Sequence, residues 1–145
     1  MIKSEFSIVI NRPVEEVFAF ANDLERDPQW MASVSERKKT SEGPVGVGTT
    51  FHDTGTLLGR KVENNYEVTE YEPNAKLGIK TVSGSIQIEA TSTCEPVEGG
   101  TRFTMAGEAE VAGMIKFAES IIARVMKSQL EADLARLKDL MEAQV

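Results

Sequence analysis

Val62-Glu63-Asn64-Asn65-Tyr66-Glu67-Val68-Thr69 alternates strictly, so that Val62, Asn64, Tyr66 and Val68 fall on one side of an extended chain and Glu63, Asn65, Glu67 and Thr69 on the other. One side is largely apolar and the other is charged or polar, the pattern of a sheet with one face in the core and one in water. The same period of two recurs in Leu77 and Ile79, in Ile86, Ile88 and Ala90 against Gln87 and Glu89, and in Phe103 and Met105 against Arg102 and Thr104. Turn chemistry separates these runs: Ser41-Glu42-Gly43-Pro44, Thr54-Gly55, Glu72-Pro73-Asn74, Val82-Ser83-Gly84 and Val97-Glu98-Gly99-Gly100. Short strands with a single buried face predict an antiparallel meander, not the parallel sheet of nucleotide-binding folds.

Toward the N-terminus, Phe6, Ile8 and Ile10 alternate with Ser7 and Val9, which predicts a strand with its even side inward. The period then lengthens. Pro13 suits the first turn of a helix, Glu15 and Glu16 complement its positive end, and Val14, Val17, Phe18 and Ala21 recur at helical spacing. In Asp27-Pro28-Gln29-Trp30-Met31 the proline is expected to separate this helix from a brief second one carrying Trp30. Toward the C-terminus, from about Gly113, the residues Met114, Phe117, Ile121, Ile122, Val125, Met126, Leu130, Leu134, Leu137 and Met141 keep helical spacing, with no proline or interior glycine. A helix of about thirty residues is roughly 45 Å long, enough to cross a sheet diagonally. Its charged positions, Glu131, Asp133, Arg136, Lys138, Asp139 and Glu142, read as a solvated face beside one buried stripe, and a helix end projecting past the sheet would allow a homodimer.

The chain has 145 residues, 41% hydrophobic and 27% charged, the profile of one globular domain with a core of its own. Sixteen Lys and Arg against twenty-three Asp and Glu leave a formal charge of −7, which disfavours nucleic acid and anionic membrane surfaces as partners. One cysteine, Cys94, excludes an intrachain disulfide framework and a CxxC zinc site, and Cys94 is expected near the core. Glu5 interrupts any secretory apolar run and no stretch approaches the ~18 apolar residues of a membrane span, so the expectation is a cytoplasmic protein without integral membrane association. His52, the only histidine, falls opposite Phe51 on the outer face, and no Gly-x-Ser-x-Gly elbow accompanies it, which argues against nucleophilic hydrolysis. Gly46-Val47-Gly48 lacks a third glycine and a following helix, so it is turn punctuation and not a phosphate loop. No metal and no cofactor are expected; Glu108 and Glu110 belong to the solvated face.

Ile10-Asn11-Arg12-Pro13-Val14-Glu15-Glu16-Val17-Phe18, Asp27-Pro28-Gln29-Trp30, Val45-Gly46-Val47-Gly48-Thr49 and Tyr66-Glu67-Val68-Thr69-Glu70-Tyr71-Glu72-Pro73 resemble the polyketide cyclase and dehydrase-like group of the START-related (SRPBCC, Bet v 1-like) superfamily. The resemblance covers almost the whole chain. It implies an α+β helix-grip fold over residues 1–145: a bent seven-stranded antiparallel sheet around a long C-terminal helix, with two short helices after the first strand and a hydrophobic cavity between sheet and helix. It implies three functions in turn. The first is noncatalytic carriage or sensing of a small hydrophobic ligand such as a lipid, isoprenoid or aromatic polyketide. The second is a cyclase or dehydrase, and the third a protein-interaction module of the cochaperone or ribosome-associated kind.

Within that frame the inward positions Phe51, Val68, Ile79, Ile88, Phe103 and Met105, with Trp30 and the helix residues Met114, Phe117, Ile121 and Ile122, are the expected apolar wall, or else ordinary core. Asp53, Asn64 and Tyr66 are the inward polar residues and the expected ligand-orienting set. Tyr66 could donate to a carbonyl, Asn64 could donate and accept, and Asp53 could accept or act as a base with a raised pKa. Alternatively Asp53 meets water at a strand end, Asn64 occupies a bulge and Tyr66 is core, since a slip of one residue reverses each assignment.

Overall fold

The computed structural model describes residues 2–57, 59–84, 86–111 and 116–143. Seven antiparallel strands form one sheet: β1 (Ile2–Ile10), β2 (Val34–Lys39), β3 (Thr50–Leu57), β4 (Arg60–Glu72), β5 (Lys76–Gly84), β6 (Ile86–Val97) and β7 (Gly100–Val111). The order across the sheet is β1-β7-β6-β5-β4-β3-β2, so β2 to β7 form a meander and β1 closes beside β7. A helix, α1 (Val14–Ala21), and a 3-10 helix, α2 (Leu24–Gln29), follow β1, and the long helix α3 (Lys116–Glu142) lies against the sheet. This is the helix-grip arrangement.

Alternation places the inward residues as expected: Ile10 of β1, Asn64, Tyr66 and Val68 of β4, and Phe103 of β7 are buried, while Val9, Glu63, Asn65, Glu67, Thr69 and Arg102 are exposed. Three boundaries differ. Pro13 sits at the N-cap position, one residue ahead of α1. Pro28 lies inside α2, and Trp30 immediately follows it; the i+3 bonding of a turn this short leaves room for a residue without an N–H. Gly55 is no hairpin end but an interior residue of β3, because a Cβ there would come within 2.1 Å of the Ser33 carbonyl oxygen, where β2 bulges between Val34 and Glu36. The chain reverses further on, at Gly59, whose φ of 77° is open to glycine.

Sheet curvature has a visible cause. β4 and β5 slip register twice, at Asn65/Tyr66 and Val68/Glu70, and the β5–β6 ladder ends at Lys80↔Glu89. Beyond that point side chains repair the backbone: Asn64 Oδ1 accepts from the Ile86 N–H at 3.1 Å, and Thr81 Oγ1 accepts from the Ile88 N–H at 2.9 Å. These side-chain bonds stand in for the ladder over the last residues of the two strands.

The core is solid at one end. Ile10, Val17, Phe18, Trp30, Phe103 and Leu134 belong to one cluster, with Leu137 and Met141 from the last turns of α3. Leu134 and Leu137 are fully buried, and such a leucine contributes roughly 1.5–3 kcal/mol. The C-terminal half of α3 is therefore the anchor, and its apolar stripe is used inside the chain's own core instead of projecting past the sheet. Polar contacts reinforce it, with Lys138 Nζ donating to the Val9 carbonyl at 2.6 Å and the Asn11 N–H to Glu142 Oε2 at 2.8 Å. The N-terminal half is looser: Ile121 is 51% exposed.

Candidate ligand cavity

Where the sheet bends away from α3, a cavity of about 260 Å³ opens. Val34, Val62, Ile86 and Ile88 of the sheet and Met126 and Leu130 of α3 form apolar wall, and the exposed Thr56 and Val125 mark its rim. Met126, Gln129, Leu130 and Asp133 share one helix stripe by their spacing of three, four and seven. A second chamber of about 120 Å³ lies deeper, toward Trp30, Leu77, Ile79, Phe103 and Met105. Met31, Arg37, Tyr66 and Ile88 border both chambers. Trp30 meets Phe103 edge to face, with ring centroids 6.4 Å apart.

A buried ion cluster stands at the junction. Arg37 of β2 pairs directly across the ladder with Asp53 of β3, its Nε donating to Asp53 Oδ1 at 2.7 Å and its Nη2 to Asp53 Oδ2 at 2.6 Å. Arg37 Nη1 donates to Asp27 Oδ2. All three side chains are nearly inaccessible, and the Tyr66 ring lies under the guanidinium, 5.5 Å from its centroid. Burial alone would lower the Arg37 pKa, but the hydrogen bonds and charges of Asp53 and Asp27 raise it, so Arg37 stays a cation. Asp27 goes the other way. Burial pushes its carboxyl up to about 7, outweighing the pull of the Arg37 charge and hydrogen bond. Its Oδ1 has no hydrogen-bond partner among the described residues. Burial, with the Asp53 charge, pushes the Tyr66 phenol up to about 12, so it is a proton donor in hydrogen bonds and not a base at neutral pH.

Of the expected polar set, Asp53, Asn64 and Tyr66 do meet at the cavity. Their roles differ from expectation. Asp53 is no free base, because both oxygens are held by Arg37; Asn64 has its carbonyl oxygen committed to the Ile86 N–H, beside the bulge. Of the expected wall, Trp30, Ile79, Phe103 and Met105 border the inner chamber and Ile88 both. Phe51 and Val68 instead pack with Leu24 and Leu77 in a second core cluster, since the α2 segment covers that part of the sheet. Ile121 faces solvent and Ile122 is half-buried away from the lining, because the helical stripe that meets the cavity runs through Met126 and Leu130. Met114 and the Phe117 side chain lie outside the described residues. Cys94 is buried, and burial pushes its thiol up to about 11, which leaves it un-ionised at neutral pH. His52 is on the outer face, its Nδ1 2.8 Å from Asn65 Oδ1.

Sequence reasoning passes over Asp27, Arg37 and Asp133. Composition and periodicity give Asp27 and Arg37 no role, and Asp133 reads as part of the wet face of the helix. Asp133 is buried at the cavity, where its Oδ1 accepts from Gln129 Nε2 at 2.8 Å and the Ala32 N–H at 3.2 Å; burial raises its pKa. Parity puts Arg37 on the same strand side as Lys39, and the β2–β3 register then sets it opposite Asp53.

A curved antiparallel sheet gripping a helix, with a mostly apolar cavity between them and a buried ion cluster at its edge, defines the helix-grip fold. The chain belongs to the family described as polyketide cyclase/dehydrase and lipid transport, whose profile matches residues 1–142. Similar solved structures include TTHA0849 from Thermus thermophilus, 20% identical over 99% of each chain with a TM-score of 0.83. A START superfamily protein from Mycobacterium smegmatis is 14% identical, over 97% of this chain and 99% of that one, with a TM-score of 0.81. The di-domain ARO/CYC BexL from the BE-7585A biosynthetic pathway is 18% identical, over 98% of this chain and 47% of that one, with a TM-score of 0.75. No curated protein matches the chain by sequence. None of the described helices is long and apolar enough to cross a membrane.

Proposed function

We propose that this protein is a noncatalytic carrier or sensor of a small, mainly hydrophobic molecule, held between the sheet and α3. The observation that carries this reading is the 260 Å³ cavity between sheet and helix, with a 120 Å³ cavity that shares Met31, Arg37, Tyr66 and Ile88 as lining. Apolar walls favour an apolar body, and the charge of Arg37 is already balanced inside the protein, so it does not demand an anionic ligand. The family description includes lipid transport, which is compatible chemistry.

The neutral dye N-phenyl-1-naphthylamine tests this directly. Its fluorescence is expected to rise saturably with one site per chain. Ile88→Trp adds bulk at a residue both chambers share, and should weaken binding about tenfold or more while the melting temperature moves by only a few degrees. Nonsaturable binding, or full affinity in Ile88→Trp, removes the cavity as the binding site.

A second reading, cyclase or dehydrase-type catalysis, is favoured by one observation: Asp27 has an uncommitted carboxyl oxygen and a pKa raised to about 7, near the working pH of a general acid or base. Both oxygens of Asp53 are held by Arg37, and the Tyr66 phenol is pushed far above neutral. If the protein turns over a polyketide, Asp27→Asn should lower kcat about a hundredfold or more, measured by product formation, with substrate binding retained. Unchanged turnover in the variant assigns the proton transfer elsewhere.

A further inference from the structure

The larger cavity carries an imbalance of charge. Its charged lining, among the described residues, is Arg37, Asp53 and Asp133: one cation against two carboxylates. Arg37 is committed within its own cluster, to Asp53 and to Asp27. That leaves Asp133, which is 3% exposed. Its two closest donors, Gln129 Nε2 at 2.8 Å and the Ala32 N–H at 3.2 Å, are uncharged, so they solvate the carboxylate without cancelling its charge. Arg136 Nη1 stands further off, 3.5 Å from Asp133 Oδ1, on a side chain that is 44% exposed and also donates to the Trp30 carbonyl. A cation half in water offsets only part of a buried charge.

Resting on the cavity reading above, we propose that the ligand is an apolar amine, its ammonium group beside Asp133 and its body along the Met126 and Leu130 wall of the same helix stripe. A carboxylate headgroup is opposed there. It would add a further negative charge, and the Arg37 donors that could receive it already hold Asp53 and Asp27. A neutral headgroup is admitted but gains nothing from the charge. An ammonium gains in two ways: it relieves the burial that raises the Asp133 pKa, and its own loss of water is offset by an opposite charge in a place sheltered from salt. Arg124 and Lys127 flank Val125 at the rim, but both are exposed, and in water salt screens such charges over roughly 8 Å.

Displacement of N-phenyl-1-naphthylamine by octylamine, octanol and octanoate separates these cases, because the three share one chain length and differ in the headgroup. About pH 8 suits it, above the ordinary carboxylate range and below that of alkyl amines. On the wild-type protein octylamine should displace the dye at a concentration about tenfold or more below that of octanol, with octanoate the weakest of the three. Asp133→Asn keeps an oxygen for Gln129 and Ala32 and removes the charge, so the advantage of octylamine should fall to about twofold or less while octanol is unchanged. The wild-type ranking decides the matter even where that variant folds poorly. Equal displacement by octylamine and octanol, tighter binding of octanoate, or an amine preference that survives in Asp133→Asn overturns the amine assignment and leaves the cavity reading standing. Failure of the dye itself to bind saturably overturns both.

Discussion

Arg37→Met is expected to destabilise the fold by about 3–5 kcal/mol near pH 7, because it leaves Asp27 and Asp53 buried together with no cation. For a chain of this size that corresponds to a drop in melting temperature on the order of 10 °C. The loss should be smaller near pH 4, where Asp27 holds a proton. Replacing all three residues by apolar ones of similar volume should recover most of it, since a buried ion cluster is often no more stabilising than a packed apolar group. Urea melts of the single and triple variants measure both. A single variant within about 1 kcal/mol of wild type would mean that Arg37 adds little beyond surface pairing.

The second large effect belongs to Asp27 and depends on pH. Its pKa is about 7 in the folded protein and near the ordinary value of 3.8 in the unfolded chain, so between those values the folded state holds a proton that the unfolded state does not. The resulting stabilisation is fully present below the unfolded value and is lost as pH rises through the folded one. A difference of roughly three in pKa, at about 1.36 kcal/mol each, is on the order of 4 kcal/mol. Asp27→Asn keeps an oxygen for Arg37 and cannot titrate. Wild type should therefore lose on the order of 4 kcal/mol relative to Asp27→Asn between about pH 4 and pH 8, in urea melts that subtract the other carboxyls. A stability difference that stays flat across that range would mean that Asp27 remains ionised throughout, held down by Arg37.

Both effects arise from residues to which composition and periodicity assign no role. Side-chain alternation yields parity: it tells which side of a strand Arg37 occupies, but not whether that side meets solvent or a carboxylate. The partner comes from β3, 16 residues along the chain, through a register that the Val34/Glu36 bulge shifts. The close approach of Gly55 to Ser33 is the physical condition for that register, and a glycine in Thr54-Gly55 reads equally well as a turn. Asp133 is similar. Its helical phase is adjacent to the buried stripe, and only the passage of the Met31–Ser33 segment beside α3 closes water away from it and supplies the Ala32 N–H.

The inward sides of β1, β4, β6 and β7, the long final helix and the antiparallel order were legible in local patterns, because each depends on contacts between a residue and a common interior. Asp53, Asn64 and Tyr66 were legible as neighbours on the same grounds. What the final packing alone decided was occupancy and pairing: which inward residues fill space, as Phe51 and Val68 do, and which border a void, as Ile88 and Tyr66 do. Volume and charge balance are properties of several chain segments meeting at once, and no single stretch of residues carries them.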